Sequence, residues 1–150
     1  MRRPRTALIA IFTLLLYSTT AISGDDEIYT SLFSNTGAGG YDVVAYFTGS
    51  GPAQGDAAFT TEYKGAEWQF SSQENLNRFM ANPQRYTPQY GGYCAYAVAN
   101  NYTASGDPLQ WTVHNDKLYL NYNADVQARW TADRDHFITQ GDLNWPGVLD

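Results

Sequence analysis

An alternation of aromatic and polar residues on both sides of Lys64-Gly65 limits what this chain can fold into more than any other feature. Residues 59–70 read Phe-Thr-Thr-Glu-Tyr-Lys-Gly-Ala-Glu-Trp-Gln-Phe, the pattern of two short strands that each bury one face. Gly65 adopts the positive φ of a tight turn without steric cost, so the pattern predicts a β-hairpin. The rings of this hairpin are expected to form one wall of a hydrophobic core.

A second hairpin is predicted in the C-terminal half of the chain. Residues 109–114 and residues 117–122 are both rich in apolar and β-branched side chains, and Asn115-Asp116 between them is typical of a two-residue turn. No internal repeat is evident from the residues themselves.

A helix is expected after each hairpin. Ser71 and Glu74 have the spacing of a capping box, and Pro83 predicts that the first helix ends at Asn82. Asn123 is placed to cap the second helix, and Asp42 is placed to cap a short helical turn near the start of the domain. The chain is therefore expected to be a small single-domain α+β protein, with two β-hairpins packed against short helices.

The N-terminal residues predict export. Arg2, Arg3 and Arg5 precede an apolar run at residues 7–17, which is shorter than the roughly 20 residues that a membrane-spanning helix needs. Ala21-Ile22-Ser23 then offers a small-x-small cleavage site. We expect residues 1–23 to be a signal peptide, residues 24–39 a flexible lead-in, and residues 40–148 the folded domain. The mature protein is expected in the periplasm or outside the cell.

Charge and cysteine content exclude several classes of function. Removal of residues 1–23 takes away three of the nine basic residues and leaves six against fifteen acidic ones, a net charge of about −9. Such a surface repels phosphate backbones and anionic lipid headgroups, so we expect neither nucleic-acid nor membrane binding after cleavage. Cys94 is the single cysteine, so the chain can form neither an intrachain disulfide nor a Cys-x-x-Cys redox pair.

An ordered series of motifs resembles the YHS family, in particular its secreted branch. The resemblance covers roughly residues 40–146. It rests on Gly-Tyr-Asp-Val-Val-Ala-Tyr-Phe at residues 40–47, Glu-Tyr-Lys-Gly at 62–65, Phe-Ser-Ser at 70–72, Pro-Gln-Arg-Tyr at 83–86 and Gln-Tyr-Gly-Gly-Tyr-Cys-Ala at 89–95.

The resemblance implies an α+β fold and an association with transition metals, although the secreted members have no agreed activity. Metal-binding relatives place cysteines at positions that correspond here to Ala45, Ser71 and Asn75, and none of these residues replaces a thiolate ligand. Similar secreted members carry selenocysteine at the position of Cys94, which directs attention to that side chain.

The leading hypothesis is a noncatalytic binding module of the bacterial envelope. Twelve Tyr, seven Phe and four Trp make an aromatic-lined pocket plausible for a small ligand or a single metal ion. The candidate pocket residues lie near two segments in which glycine allows close approach: they are Tyr41, Tyr46, Tyr90, Tyr93 and Cys94. A copper or zinc ion would need Cys94 to converge with His114 and His136.

Two alternatives stay open. In the first, Cys94 is a redox thiol that forms a sulfenic acid or a mixed disulfide with an envelope partner. In the second, the domain is structural, lends its surface to an envelope protein, and keeps Cys94 as a small buried hydrophobe. The residues assign no catalytic group, since phosphate loops, paired-carboxylate motifs and nucleophile elbows are missing from the sequence.

Overall fold

The computed structural model describes residues 24–150, so the predicted signal peptide lies outside the described residues. Within residues 24–150 the chain forms two antiparallel hairpins and a set of short helices, which confirms the predicted α+β class. In chain order the elements are β1 (Asp56–Tyr63), β2 (Ala66–Phe70), α1 (Gln73–Ala81), α2 (Pro83–Tyr86), α3 (Ala95–Ala99), β3 (Asp107–His114), β4 (Lys117–Asn121), α4 (Ala124–Ala132) and α5 (Arg134–Asn144). Short 3-10 turns lie at Gly37–Gly40, Ala45–Phe47, Gln89–Gly92 and Gly147–Leu149.

Both predicted hairpins are present, with the predicted turns. Lys64 and Gly65 join β1 to β2 at φ values of 51° and 79°, and Asn115 and Asp116 join β3 to β4 at 50° and 58°. Positive φ at both central residues is the geometry that matches the twist of paired strands. Each hairpin is a separate two-stranded sheet.

The helix caps agree with the sequence in one case and are displaced by a residue in the other. Asn123 caps α4 by accepting a hydrogen bond from the Val126 N–H, as expected. The side chain that caps α1 is Ser72, which accepts from the Asn75 N–H, and not the predicted Ser71. Ser71 does not cap the helix because its hydroxyl and its N–H both donate to the buried carboxylate of Asp42.

The core consists of two hydrophobic clusters joined by β4. In the first cluster, Phe79 of α1 packs against the rings of Trp68 and Phe70, with centroids 5.6 Å and 5.0 Å away. In the second, the Tyr119 ring packs against Trp130 of α4 at 5.2 Å. Leu118 and Leu120 belong to the first cluster and Tyr119 to the second, because alternate side chains of a strand point to opposite faces.

Residues 24–39, the predicted flexible lead-in, contact the rest of the domain. Ile28 and Ala38 are buried members of the first cluster, and the Tyr29 N–H donates to the Gly91 carbonyl at 3.0 Å. Near the far end of the chain, the Asp25 N–H donates to the Leu149 carbonyl at 2.8 Å. Polar and glycine residues predicted a loose segment, but the buried side chains of Ile28 and Ala38 and these backbone hydrogen bonds hold it against the domain.

None of the helices within residues 24–150 combines the length and the apolar character that crossing a membrane requires.

Candidate functional site

Two of the predicted pocket residues lie by the first cluster. Tyr46 is buried, its ring packs against Trp111 at 5.4 Å, and its hydroxyl donates to the Pro108 carbonyl at 2.8 Å. Burial raises the pKa of Tyr46, with smaller contributions from Tyr41 and two nearby aspartates. Tyr41 is partly buried beside it. Tyr46 is thus a core residue with a satisfied hydroxyl rather than a pocket wall.

The other two tyrosines lie in the second cluster. The Tyr90 hydroxyl donates to the Asp142 carboxylate at 2.9 Å, and the Tyr93 hydroxyl donates to the Asp26 carbonyl at 2.8 Å. Both rings pack on Trp145, with centroid distances of 5.9 Å and 6.1 Å. The structure therefore separates the five candidate residues into two parts of the core and does not gather them into one pocket.

Cys94 is enclosed. Its side chain is 1% exposed, and its sulfur lies 3.6 Å from Oδ1 of Asn121, which also accepts from the Tyr96 N–H. Burial raises the pKa of the Cys94 thiol, and backbone N–H groups of Ala97, Tyr122 and Tyr96 oppose that rise without cancelling it. A buried thiol with a raised pKa is a weak nucleophile, since the thiolate is the reactive species.

The two histidines lie on different elements: His114 ends β3 and is partly buried, and His136 lies on α5. Nε2 of His114 lies 3.8 Å from Oδ1 of the exposed Asp135 and 3.2 Å from the Asn115 amide nitrogen. His136 is exposed and its ring packs edge-on against Phe137. Across residues 24–150, no three His, Cys, Asp or Glu side chains come together in a way that would hold a metal ion. Cys94, His114 and His136 therefore do not converge.

The best-organised polar group of the fold is one that sequence reasoning placed only as a helix cap. Asp42 is fully buried, and its Oδ1 accepts from the Val44 N–H at 2.9 Å and the Ala45 N–H at 3.2 Å. Its Oδ2 accepts from the N–H and hydroxyl of Ser71, at 2.9 Å and 2.6 Å, and from the Asn75 side-chain amide at 2.7 Å.

Asp42 thus ties the turn before β1 to the start of α1. Its donors include Ala45, Ser71 and Asn75, the three positions at which the resemblance places cysteines in metal-binding relatives. Here these positions surround a carboxylate whose oxygens are already occupied by hydrogen bonds, and the donors are not metal ligands. This geometry points to a structural role for the network.

A cleft of about 330 Å³ lies above the segment that carries Tyr93. Its lining includes Asp25, Asp26, Tyr29, Tyr93 and Thr103. The Tyr29 and Tyr93 rings meet edge-on at 5.3 Å, and the Thr103 hydroxyl donates to Oδ2 of Asp25 at 2.7 Å. The pKa of Tyr93 is raised to about 12, mainly by burial and to a smaller extent by the nearby charges of Asp25 and Asp26. The cleft is acidic and partly aromatic.

An apolar tip protrudes from the N-terminal segment. Leu32 and Phe33 are each 96% exposed, and they occupy the centre of a turn in which the Ser34 N–H donates to the Ser31 carbonyl. Single exposed apolar side chains are common on proteins, but two neighbouring ones at the end of a turn form a compact apolar projection. We call Leu32 and Phe33 the apolar tip.

The apolar tip is held at its base by the first hairpin. The Glu67 N–H donates to the Asn35 carbonyl at 2.8 Å, and the Asn35 side-chain amide donates to the Gly65 carbonyl at 3.0 Å. The sequence analysis placed this pair in the flexible lead-in, residues 24–39. The signals that would have corrected this are the apolar pair Ile28-Tyr29 before it and the hydrogen-bonding Ser, Asn and Thr side chains after it.

Comparison with known proteins identifies part of the chain. No curated protein and no solved structure matches it. The family model described as the YHS domain matches residues 50–90, which contain β1, β2, α1 and α2. This match agrees with the motifs at residues 62–65, 70–72 and 83–86. Residues 50–90 of this chain are therefore similar to the YHS domain.

Proposed function

We propose that this chain is an exported, noncatalytic YHS-domain protein that binds another protein of the cell envelope through the apolar tip. The observation that carries the proposal is the 96% exposure of both Leu32 and Phe33 on a turn that the first hairpin holds in place. Export rests on the signal-like residues 1–23 and is part of the same proposal.

The energetics favour docking of this tip. Burying each of the two side chains in a partner stabilises a complex by about 1.5–3 kcal/mol. Because hydrogen bonds to Gly65 and Glu67 already fix the base of the turn, little ordering of the backbone opposes binding. A small, pre-formed apolar projection suits a matching pocket on another protein.

The charge of the chain defines the chemistry of that partner. Asp25, Asp26 and Glu27 lie on the segment that leads into the tip, and the mature chain carries about nine excess negative charges. A partner with an apolar pocket rimmed by Lys or Arg complements this surface, whereas nucleic acid and anionic lipid are repelled.

A double variant tests the proposal. We expect the wild-type protein to form a discrete chemically crosslinked complex in intact envelopes, and Leu32→Ser/Phe33→Ser to abolish that complex with no loss of folding stability. Leu143→Ser is the matched control, because Leu143 is also exposed, at 74%, but lies on α5. Equal complex formation by the double variant and the wild type would refute the role of the tip.

A second candidate is a small organic cation bound in the acidic cleft. It is favoured by two carboxylates, Asp25 and Asp26, next to the Tyr29 and Tyr93 rings, since an ammonium group interacts with both carboxylates and aromatic faces. Titration with choline and putrescine by calorimetry tests it. Binding should be lost in Asp25→Asn/Asp26→Asn and kept in Glu62→Gln, whose acid does not line the cleft. No heat of binding for either amine would rule out this candidate.

The remaining hypotheses receive less support. A thiol redox function requires an accessible sulfur with a thiolate population, and Cys94 is 1% exposed with a raised pKa. A copper or zinc site requires donors that converge, and Cys94, His114 and His136 are apart. A protein-interaction role requires neither.

A further inference from the structure

The backbone before α3 repeats the backbone before β1. In the turn Gly37–Gly40, Ala38 and Gly39 have φ values of 50° and 59°, and in the turn Gln89–Gly92, Tyr90 and Gly91 have values of 58° and 62°. Each turn is followed by a tyrosine with an extended backbone. The Tyr41 N–H donates to the Ala38 carbonyl and the Tyr93 N–H to the Tyr90 carbonyl, both at 3.0 Å. A non-glycine residue at positive φ is uncommon, so this shared sequence of conformations is a specific likeness.

The residues that follow also correspond. The Asp42 N–H donates to the Ala53 carbonyl at 2.8 Å, and the Cys94 N–H donates to the Ala104 carbonyl at 2.8 Å. Isolated antiparallel bridges join Tyr41 to Gln54 and Tyr93 to Ser105.

The two hairpins and their helices have matching lengths and matching irregularities. The first strand of each has 8 residues, the second has 5 and the following helix has 9. The strand register shifts between Asp56 and Thr60 in one hairpin and between Asp107 and Trp111 in the other. Both aspartates accept a hydrogen bond from the N–H two residues on, at 2.8 Å and 2.9 Å.

We infer that residues 37–82 and residues 89–133 are two copies of one structural unit, and that Cys94 occupies in the second copy the position that Asp42 occupies in the first. The family match covers the hairpin and helix of the first copy, and the second copy lies almost entirely beyond it. This inference goes beyond the proposed function, because it assigns a role to the cysteine that docking through the apolar tip does not use.

The surroundings of the two side chains support their equivalence. Oδ1 of Asp42 accepts from N–H groups two and three residues on, and Oδ2 accepts from the Ser71 N–H directly after β2. Backbone N–H groups of Tyr96 and Ala97, again two and three residues on, and of Tyr122, directly after β4, lie near enough to the Cys94 thiol to oppose the rise in its pKa, and the Tyr96 N–H donates to Oδ1 of Asn121. We call these three N–H groups the amide nest. An acceptor at position 94 would therefore join the turn before α3 to the end of β4.

A second donor beside the amide nest is unused. The side-chain nitrogen of Asn121 is fully buried and has no hydrogen-bond partner among the described residues, while its oxygen contacts the Cys94 sulfur at 3.6 Å. Rotation of this amide would present an N–H to a second acceptor atom at position 94. The second copy thus retains donors for both oxygens of a carboxylate.

Few residue identities reveal the duplication, and about half of them lie in or beside the turns. The identical pairs are Gly39 and Gly91, Gly40 and Gly92, Tyr41 and Tyr93, Ala45 and Ala97, Ala53 and Ala104, Gly55 and Gly106, Asp56 and Asp107, Thr61 and Thr112, Arg78 and Arg129, and Ala81 and Ala132. Core positions changed size together, with Trp68 and Phe79 of the first copy replaced by Tyr119 and Trp130 in the second. Neighbouring core side chains can exchange size and still fill the same space, whereas a backbone position that needs a positive φ continues to favour glycine.

Substitution by aspartate tests the inference. Cys94→Asp should fold, because the amide nest and Asn121 offer donors to the new carboxylate. Ala97→Asp is the matched control, since Ala97 is equally buried on the same short helix and should lose the folded state in circular dichroism and urea denaturation. An unfolding equilibrium for Cys94→Asp as unfavourable as that of Ala97→Asp would overturn the inference.

Smaller substitutions provide a second test that does not depend on accommodating a charge. Cys94→Ser keeps an acceptor for the amide nest and Cys94→Ala removes it, so the folding equilibrium constant should be at least about fivefold larger for the serine variant. Amide hydrogen exchange of Tyr96, Ala97 and Tyr122 should accelerate in the alanine variant and stay slow in the serine variant. Equal stability together with equal exchange in the two variants would contradict the acceptor role.

Discussion

Asp42 shows how one side chain can fix the entry to the first hairpin. It is fully buried, and five hydrogen bonds from the protein replace the water that its carboxylate would have outside the core. A buried carboxylate is costly unless its acceptors are satisfied, so the donors on the turn and on α1 must be held in place together. The network therefore couples two elements that are distant in the chain.

Replacing this carboxylate should be among the most destabilising single changes in the protein. Asp42→Asn puts an amide N–H against the donors of Ser71 and Asn75, and we expect a loss of about 2–4 kcal/mol in unfolding free energy. Urea denaturation measures the loss. Glu74→Gln, which changes an exposed acid on α1, is the control and should shift stability by less than about 0.5 kcal/mol. A small effect of Asp42→Asn would mean that the network is not structural.

Cys94 should be inert in the native protein. With its side chain 1% exposed and its pKa raised by burial, the thiol should react with a disulfide reagent only at the rate at which the protein opens. The same reagent should label the urea-unfolded chain fully within minutes. Rapid stoichiometric labelling under native conditions would restore the redox hypothesis.

Sequence reasoning at the residue scale identified Cys94 and Asp42 but could not determine how they are buried. Cap chemistry suggested a local role for Asp42, and the structure shows that its Oδ2 instead reaches Ser71 and Asn75, about 30 residues away in the chain. The likeness between the two side chains was invisible because a carboxylate and a thiol look unrelated in a sequence. Only the shared backbone donors reveal it.

At the scale of elements, the N-terminal segment is held by a close approach at Gly91. A Cβ atom on Gly91 would lie 1.7 Å from the Glu27 carbonyl oxygen, so the segment can lie there only because this residue has no side chain. The same approach lets the Tyr29 N–H donate to the Gly91 carbonyl. The apolar tip is positioned by this contact as well as by the first hairpin.

A pair of glycine substitutions separates that contact from backbone strain. Gly91→Ala and Gly49→Ala both place alanine at positive φ, which costs about 1 kcal/mol, but a Cβ at Gly49 meets nothing within 4 Å. The loss in unfolding free energy should be larger for Gly91→Ala than for Gly49→Ala by about 1 kcal/mol or more, because the Cβ at position 91 overpacks against Glu27. Hydrogen exchange at Tyr29 should also accelerate in Gly91→Ala alone. Equal behaviour of the two variants would mean that the segment is not held at Gly91.

The elements themselves were largely predictable. Alternating rings with Lys64-Gly65 and Asn115-Asp116 specified both hairpins, and Asn123 specified the start of α4. The packed N-terminal segment was not predictable, because two buried side chains, Ile28 and Ala38, and a set of backbone hydrogen bonds leave little trace in composition. The packing of the two hairpins depends on β4, which buries side chains on both of its faces. The alternation of apolar and polar residues in the sequence does not predict this burial.

At the scale of the whole molecule, buried tyrosines link stability to high pH. Burial raises the pKa of Tyr93 and of Tyr119 to about 12, and those of Tyr46 and Tyr90 higher still. The unfolded chain ionises its tyrosines near pH 10, so stability is complete below that value and is lost as the pH rises toward 12.

This linkage predicts cooperative alkaline unfolding between about pH 10 and pH 12. Tyrosinate absorbance should show exposed tyrosines ionising first and a second group ionising only as circular dichroism reports unfolding. Tyr93→Phe removes one ionisable group and also the hydrogen bond from Tyr93 to the Asp26 carbonyl. Once the stability lost with that hydrogen bond is taken into account, the pH midpoint of unfolding should be higher for this variant than for the wild type. Full ionisation of all tyrosines near pH 10 in a protein that stays folded would contradict the assigned burial.

Export is a further prediction for the whole chain. Expression of the full-length sequence in a bacterial host should yield a periplasmic protein that begins at Gly24, as measured by mass spectrometry of the purified product. Replacing Arg2, Arg3 and Arg5 by Ser weakens the cationic start of a signal peptide and should leave more of the precursor in the cytoplasm. A cytoplasmic, unprocessed wild-type product would contradict export.

The central claim is that the apolar tip is a protein-binding site, and site-specific photo-crosslinking in living cells tests it most directly. A photoreactive phenylalanine analogue at position 33 should give one discrete crosslinked protein band, and the same analogue at position 143 of α5 should give none. Purified protein should at the same time fail to bind phosphatidylcholine vesicles with or without phosphatidylglycerol. No band at position 33, or equal bands at both positions, would contradict the account.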